Sequence, residues 1–282
     1  MQIFHTITEL QAALSAAQGK IALVPTMGNL HEGHLTLAKI ARTHADVVVV
    51  SIFVNPTQFG VGEDFDSYPR TLDADVAALG GVDVDFVFAP SVDEMYPTYP
   101  PNVQVLSGEI TKLLCGKSRP THFDGVGLVV SKLFNIVRPD VAVFGKKDYQ
   151  QLAIIRQLND DLNFGIDIIG ADIVRAEDGL ALSSRNQYLS ADERAVAPAL
   201  SQTLQALADK LAQASIIDYD ALIDDAKATL TQAGFVVDYL EIYNRQLQTV
   251  SQVDKALVIL AAAWLGKARL LDNLEVDLTQ AR

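Results

Sequence analysis

The sequence predicts an α/β fold, a doubly wound parallel sheet followed by a smaller α+β domain. Between residue 21 and about residue 174, short β-branched runs alternate with stretches of helical periodicity. The apolar residues of these runs are mostly continuous rather than alternating with polar ones, which is typical of strands that are covered on both faces. After Arg175, two amphipathic helical stretches come first and strand-like runs follow them. The first part therefore matches repeated βαβ units and a Rossmann-like domain.

The first domain is predicted to span residues 1–175 and to alternate strands with helices. Its strands are the apolar runs at residues 21–24, 47–54, 84–88, 141–144 and 166–174. Its helices are the amphipathic stretches at residues 35–43, 72–79, 126–136 and 149–158. Ligands of such sheets bind beyond the carboxyl ends of the strands, so the segments that follow strands are the first places to search for a site.

The second domain is predicted to span residues 176–282. Its helices are the amphipathic stretches at residues 191–214 and 219–234, and its strands are the runs at residues 236–243, 257–261 and 268–271. Helices followed by neighbouring strands are typical of a small α+β domain.

The charge balance limits the possible partners. With 22 Lys and Arg against 35 Asp and Glu, the formal charge of −13 repels nucleic acid and anionic membrane surfaces, so neither is expected to bind. An anionic substrate then needs a local concentration of basic side chains and backbone N–H groups. The single cysteine, Cys115, excludes a disulfide within the chain, and the first residues lack the pattern of a secretory signal. A cytoplasmic location is expected.

The predicted first strand ends in a motif rich in glycine and histidine, at residues 25–34. Gly28 suits a tight turn, and Gly33 lets a ligand approach the backbone closely. His31 and His34 are three positions apart at a predicted helix start and share one face. Helix N-termini carry partial positive charge and N–H donors, so the motif predicts a phosphate site. Zinc is the alternative, but the metalloprotease motif places its histidines four positions apart.

Two further polar segments are candidates for the same ligand. Residues 145–148 lie between a predicted strand and a predicted helix, where Lys147 is able to bridge phosphates as a point charge. Residues 182–185 carry two hydroxyls and a cation just beyond the domain boundary. Adjacent lysines are usually solvated surface, and the second segment alone is an ordinary polar turn. From the residues alone, these alternatives stay open.

The motifs together resemble a known superfamily. The H-x-G-H string at residues 31–34, after a first parallel strand, resembles the signature of the nucleotidylyltransferases. The longer string at residues 25–34 is similar to the pantothenate synthetase family in particular. Further matches to that family run in order along the chain at residues 53–59, 119–126, 144–151, 182–186 and 269–273. The chain departs from the expected pattern at three places: Asn29 replaces Ala, Leu182 replaces Met, and Gly127-Leu128 replaces small or hydroxylated residues. None of these departures removes an acid, a base or a charge.

The resemblance implies an ATP-dependent ligase that joins pantoate and β-alanine through a pantoyl adenylate and releases AMP and pyrophosphate. It implies that His34, His31 and Lys147 stabilise the transition state. The residues that it implies for ATP binding are Met27, Gly28, Asn29, Leu30, His31, Glu32, Gly33, His34, Gly145, Lys146, Lys147, Asp148, Val174, Leu182, Ser183, Ser184 and Arg185.

The resemblance also implies sites for the other substrates. Gln58 and Gln151 are expected to bind pantoate, because neutral amides suit a carboxylate that must remain nucleophilic. Gln58, Asn55 and Arg119 are expected to bind β-alanine. Mg²⁺ is expected mainly on the ATP phosphates, with Asp75 as a candidate contact. A homodimer, and a C-terminal domain that closes over ATP as a lid, are expected as well.

Two other functions share these sequence features. Another H-x-G-H adenylyltransferase would move AMP onto a phosphate ester and would not need a site for a second acceptor. A nucleotide-binding regulatory protein without turnover would keep the fold but would be free to lose His34 or Lys147, and both are present. Measuring AMP formation with each substrate omitted in turn separates the three functions.

Overall fold

The computed structural model describes residues 1–214 and 216–278. Residues 215 and 279–282, all of which belong to the predicted second domain, lie outside the described residues. The chain forms two compact units. The first unit contains Met1–Lys146 and Ile154–Asp172, and the second contains Lys147–Ala153 and the chain from Ile173 onward. The domain boundary at residue 175 stays a prediction.

A six-stranded parallel sheet forms the centre of the first unit. Its strands are β1 (Gln2–Phe4), β2 (Ile21–Thr26), β3 (Val47–Ile52), β4 (Phe86–Phe88), β5 (Val141–Gly145) and β6 (Asp167–Ala171). They lie in the order β1-β4-β3-β2-β5-β6, and every pairing is parallel. The strand order reverses between β2 and β5, which is where doubly wound sheets bind ligands. The predicted Rossmann-like fold is confirmed.

Both faces of the sheet are buried, as the continuous apolar runs predicted. The helices between the strands are α1 (Ile7–Ala16), α2 (Glu32–His44), α3 (Leu72–Leu79), α4 (Val92–Met95), α5 (Leu114–Ser118), α6 (His122–Val137) and α7 (Tyr149–Asp161). Ala22 and Val24 of β2 share a core cluster with Ala38 and Ala41 of α2. Leu23, between them, points to the other face and is also 0% exposed.

The second unit contains an antiparallel three-stranded sheet. Its elements are the helices α8 (Ala191–Val196), α9 (Ala199–Gln213) and α10 (Tyr219–Gln232) and the strands β7 (Val236–Asn244), β8 (Ala256–Leu265) and β9 (Ala268–Asp277). The strands lie in the order β7-β8-β9. Leu204, Leu207 and Leu211 of α9 share one core cluster with Ile259 and Ala261 of β8. The predicted α+β fold of this part is confirmed.

The prediction of a single helix over residues 191–214 is wrong, because Pro198 interrupts it. The first helix ends at Val196, and the next begins at Ala199. Proline has no N–H to donate to the preceding turn, so the helical hydrogen-bond pattern cannot continue through it. Within the described residues, no helix is long and apolar enough to cross a membrane.

Candidate active site

The loop that follows β2 is held by a buried carboxylate. Asp75, in the first turn of α3, is 3% exposed. Its oxygens accept hydrogen bonds from the backbone N–H of Asn29 at 3.0 Å and from that of Leu30 at 2.7 Å. Oγ1 of Thr71 donates a third bond at 3.2 Å. Bonds between a carboxylate and backbone N–H groups are strong and directional, so Asp75 sets the direction of this loop.

Two residues of the same loop have left-handed backbone conformations. The φ angle is 81° at Gly28 and 51° at Asn29. A Cβ atom on Gly28 would lie 3.0 Å from Oδ2 of Asp75 and 3.1 Å from Cγ2 of Ile52, so both the conformation and the space require glycine. Asparagine is one of the few other residues that adopts this conformation readily, which suits it to position 29.

The two histidines cap the N-terminus of α2. The helix begins at Glu32 rather than at the predicted residue 35, because His31 is its N-cap. Nδ1 of His31 accepts from the N–H of Gly33 at 3.1 Å, and Nδ1 of His34 accepts from the N–H of His31 at 3.3 Å. An N–H group only donates, so a neutral imidazole in either place carries its proton on Nε2. In both rings, Nε2 is therefore the nitrogen that is able to donate a hydrogen bond beside the helix N-terminus.

Gln58 lies in a short 3-10 turn, Pro56–Gln58, that follows β3. Asn55 is 1% exposed, and its Nδ2 donates to Oε1 of Gln58 at 3.0 Å. Oδ1 of Asn55 in turn accepts from the hydroxyl of Tyr96 at 2.8 Å. Oε1 of Gln58 accepts from Asn55, so its Nε2 points the other way and donates to Sδ of Met27 at 3.2 Å. A thioether is a weak acceptor, so this amide N–H₂ suits a stronger acceptor on a ligand.

The turn that carries Gln58 packs directly against α6. A Cβ atom on Gly125 would lie 2.2 Å from the carbonyl oxygen of Thr57 and 2.7 Å from Cα of Gln58. Glycine is therefore required for this close approach. Burial raises the pKa of Tyr96 to about 12, so its hydroxyl keeps the proton that it donates to Asn55. In this structure Asn55 orients Gln58, and its contact with β-alanine stays a prediction.

Arg119 forms a bidentate ion pair with Glu63. Its Nε donates to Oε1 of Glu63 at 2.7 Å, and its terminal nitrogen donates to Oε2 at 2.5 Å. These hydrogen bonds and the charge of Arg119 hold the pKa of the Glu63 carboxyl below its usual value. Nδ1 of His122 donates to the carbonyl oxygen of Gln58 at 2.8 Å, and its Nε2 accepts from Arg119 at 3.1 Å. Arg119 thus adjoins the Gln58 turn, while Glu63 and His122 are additional residues that the sequence did not indicate.

The two lysines of the motif at residues 145–148 belong to different units. Lys146 is in the first unit, and its Nζ donates to Oδ1 of Asp172 at 2.8 Å, just beyond the end of β6. Lys147 is in the second unit, where its carbonyl oxygen accepts from Nδ2 of Asn273 at 2.9 Å. Nζ of Lys147 lies 4.0 Å from a carboxylate oxygen of Asp148. The backbone of Lys147 is therefore fixed by a side chain of β9.

The segment from Val174 to Arg185 turns back on itself before a short helix. The N–H of Leu182 donates to the carbonyl oxygen of Val174 at 2.9 Å. Ser183 caps the 3-10 turn Ser184–Tyr188, and its Oγ accepts from the N–H of Arg185 at 3.2 Å. The segment is therefore an ordered turn with a defined start.

The predicted site residues divide between the two units. Those of the first unit are Met27, Gly28, Asn29, Leu30, His31, Glu32, Gly33, His34, Asn55, Gln58, Asp75, Arg119, Gly145 and Lys146. Those of the second unit are Lys147, Asp148, Gln151, Val174, Leu182, Ser183, Ser184 and Arg185. In the first unit, the contact of Met27 with Gln58 joins the loop after β2 to the turn after β3. Among the described residues, no three His, Cys, Asp or Glu side chains are grouped so as to hold a metal ion.

The fold and the site together define an α/β enzyme of the H-x-G-H class. The sheet is parallel, a helix capped by histidines follows its central strand β2, and lysines follow the neighbouring strand β5. Comparison with known families gives the particular one. The profile of the family described as pantoate-β-alanine ligase matches residues 2–275. The chain belongs to this family. The alternative of an adenylyltransferase that acts on a phosphate ester is not favoured.

Similar proteins cover the chain almost completely. A protein from Psychrobacter sp. strain PRwf-1 named pantothenate synthetase is 63% identical over 281 residues, which is 97% of this chain and 98% of that protein. One from Acinetobacter baumannii with the same name is 56% identical over 99% of both chains. A solved pantothenate synthetase from Thermus thermophilus is 43% identical with a TM-score of 0.92, over 98% of this chain and 100% of that chain.

A second solved structure was determined with bound molecules. It is the pantoate-β-alanine ligase of Francisella tularensis, described as complexed with β-γ ATP and β-alanine. It is 36% identical with a TM-score of 0.80, and the match covers 97% of each chain.

Proposed function

We propose that this chain joins pantoate to β-alanine at the expense of ATP, by way of pantoyl adenylate. An oxygen of the pantoate carboxylate attacks the α-phosphorus of ATP, and the bond to pyrophosphate breaks. The β-alanine amine then attacks the acyl carbon, AMP leaves, and the amine proton is lost to water or to the departing phosphate. Activation is required because a free carboxylate would have to expel oxide. Family membership, and the ATP and β-alanine of the Francisella relative, support the proposal.

The observation that carries the proposal is the pair of Nε2–H donors at the start of α2. His31 and His34 use Nδ1 to cap the helix, so their remaining ring nitrogens are donors in the neutral form. We infer that these donors, with the helix N-terminus, stabilise the charge that develops on the α-phosphate. Lys147 and residues 182–185 are proposed to bind the other phosphates, and Val174 the adenine.

Gln58 suits an oxygen-rich substrate. Asn55 holds its amide so that Nε2 is presented, and such a donor orients a carboxylate or hydroxyl oxygen without neutralising it. We propose that Gln58 and Gln151 bind pantoate and that Gln58 and Arg119 adjoin β-alanine. Gln151 is partly buried in the first turn of α7.

Magnesium is proposed to accompany the ATP phosphates as part of the nucleotide. Each buried oxygen of Asp75 accepts a backbone N–H, so we propose that its main role is to shape the loop, and its contact with magnesium stays a prediction. Three further expectations remain predictions. Light scattering tests the homodimer, and cell fractionation tests the cytoplasmic location. Small-angle scattering with and without ATP and pantoate tests closure of the second domain as a lid.

The test of the proposed function is AMP formation from ATP, pantoate and β-alanine, with each substrate omitted in turn. Continuous turnover is expected only with all three substrates, and one AMP should form per pantothenate. Transfer of AMP to a phosphate ester in the absence of pantoate would instead support the alternative adenylyltransferase.

A further inference from the structure

Strand β9 carries two neighbouring polar residues that the proposed reaction does not use. Asp272 is 3% exposed and Asn273 is 4% exposed. They lie in the string at residues 269–273, to which no step of the reaction gives a role. Burying a carboxylate or an amide costs free energy unless its hydrogen bonds are satisfied. The partners of these two side chains therefore indicate what the pair does.

Asp272 is paired with a single arginine. The two terminal nitrogens of Arg175 donate to its two oxygens at 2.7 and 2.8 Å. This parallel arrangement is the geometry in which a guanidinium and a carboxylate fix each other's orientation. One Asp272 oxygen also accepts the N–H of Asn273 at 2.8 Å. The carboxylate is thus satisfied, and the head of Arg175 is held in one place.

Arg175 also contacts the turn that precedes residues 182–185. One of its nitrogens also donates to the carbonyl oxygen of Gly179 at 3.0 Å. The backbone of Arg175 pairs with that of Ala181 in an antiparallel bridge. The turn is therefore held at its two ends by the pairing of Arg175 with Ala181, and within it by the bond to Gly179. The proposed phosphate-binding segment follows the turn directly.

Asn273 acts on the other proposed phosphate-binding residue of the unit. Its Nδ2 donates to the carbonyl oxygen of Lys147 at 2.9 Å. A buried amide that donates to a main-chain carbonyl fixes the backbone from which a long side chain extends. Of two adjacent residues of one strand, Asn273 thus contacts Lys147 directly, and Asp272 acts on residues 182–185 through Arg175.

We propose that Asp272 and Asn273 are positioning residues that hold Lys147 and residues 182–185 at a fixed spacing within the second unit. The proposal rests on the proposed function, in which these segments bind ATP. A buried ion pair is a weak source of stability compared with apolar side chains of the same size, so its value here lies in the geometry that it fixes. Displacements of about 1 Å in groups that position a substrate are enough to slow an enzyme about 100-fold.

The test measures ATP–pyrophosphate exchange in the presence of pantoate. Asn273→Ala and Asp272→Asn are each expected to slow the exchange by about 10- to 100-fold, the scale for residues that orient a functional group. Asp238→Asn is the matched control, because Asp238 of β7 forms an ion pair with Arg269 of β9 at 2.6 Å in the same sheet. The control should slow the exchange less than about 2-fold, as expected for a partly exposed pair. Equal effects of Asp272→Asn and Asp238→Asn would contradict the proposal.

A double-variant cycle with Lys147→Ala separates positioning from general stability. If Asn273 acts through Lys147, then Asn273→Ala should slow exchange much less in the Lys147→Ala background than in the wild type. The same loss in both backgrounds would overturn the proposal but leave the role of Lys147 standing. If Lys147→Ala alone has no effect, the proposal and the assignment of Lys147 both fail. Should Asn273→Ala be unfolded by circular dichroism, Asn273→Asp replaces it, because it keeps the size and removes the donor.

Discussion

The two segments proposed for the ATP phosphates are both held by a buried carboxylate, but the first is held directly and the second through a relay. Asp75 accepts hydrogen bonds directly from the backbone N–H groups of Asn29 and Leu30. Asp272 acts on residues 182–185 only through Arg175 and the turn that Arg175 fastens. Direct bonds fix the orientation of the loop, whereas the relay fixes only where the second segment begins.

This difference predicts which property, stability or catalysis, a substitution in each segment should change. In the first segment, the buried Asp75 is bonded to the loop itself, so a change should affect stability and catalysis together. In the second segment, Asp272 acts only through Arg175 and its turn, so a change should displace residues 182–185 without removing a hydrogen bond that they make themselves. Substitutions in both segments test this contrast.

The largest effects are expected from one donor of each unit. His34→Ala and Lys147→Ala should each slow adenylate formation by about 100- to 1,000-fold, the usual loss for one transition-state donor. Single-turnover release of pyrophosphate measures this step. The dissociation constants of ATP and pantoate should change much less. Near-normal turnover in either variant would mean that its side chain is structural.

Removing the direct carboxylate should destabilise the fold. Asp75→Ala leaves two backbone N–H groups without their acceptor, and one such buried donor costs about 1–3 kcal/mol. Asp75→Asn keeps one acceptor oxygen and should lose less. Urea unfolding measures the free energies, with Asp73→Ala, an exposed acid of the same helix turn, as the matched control. If Asp75→Ala is as stable as Asp73→Ala, the loop is not held as described.

The amide of Gln58 sharpens the contrast, because it too is oriented directly by a buried side chain. Gln58→Leu and Gln151→Leu should each weaken pantoate binding by roughly 1–3 kcal/mol, the cost of an unpaired polar group. Gln58→Glu keeps an oxygen toward Asn55 but replaces the Nε2 donor with a negative oxygen, so it should weaken pantoate further. Calorimetry with ATP alone is the control. Equal losses for ATP and pantoate would mean damage to the fold.

The smallest effect concerns the backbone conformation of the first segment. Asn29 has φ 51°, a conformation that costs most L-residues roughly 1–2 kcal/mol and costs asparagine less. Asn29→Ala should therefore destabilise the fold by up to about 1 kcal/mol, whereas Asn29→Gly should be neutral or slightly stabilising. Thermal unfolding compares the two. Greater stability of the alanine variant would contradict a left-handed conformation at this position.

Most of the fold was predictable from local pattern, although the ten-residue helix α1 was not predicted. Continuous apolar runs located β2, β3 and β5, and the helix at Leu72–Leu79 was predicted with its observed bounds. The edge strand β1, of three residues, was not predicted, because so short a run gives no periodicity. The capping of α2 by its own histidines was missed for a different reason, because side chains other than imidazole usually cap helices.

The candidate site was predictable only where its residues are adjacent in sequence. His31 and His34 form one motif, and Lys147 follows a strand. Their supports come from distant positions: Asp75 lies 45 positions from Leu30, and Asp272 lies 97 positions from Arg175. Such pairs are fixed by tertiary packing, and no local spacing indicates them. Glu63 and its partner Arg119, 56 positions apart, were hidden in the same way.

The adenylate mechanism is tested most directly by ATP–pyrophosphate exchange with pantoate and without β-alanine. If the chain forms pantoyl adenylate before it uses the amine, labelled pyrophosphate should enter ATP in the absence of β-alanine, and omission of pantoate should abolish the exchange. An exchange that strictly requires β-alanine would contradict the adenylate mechanism and, with it, the proposed roles of the two segments.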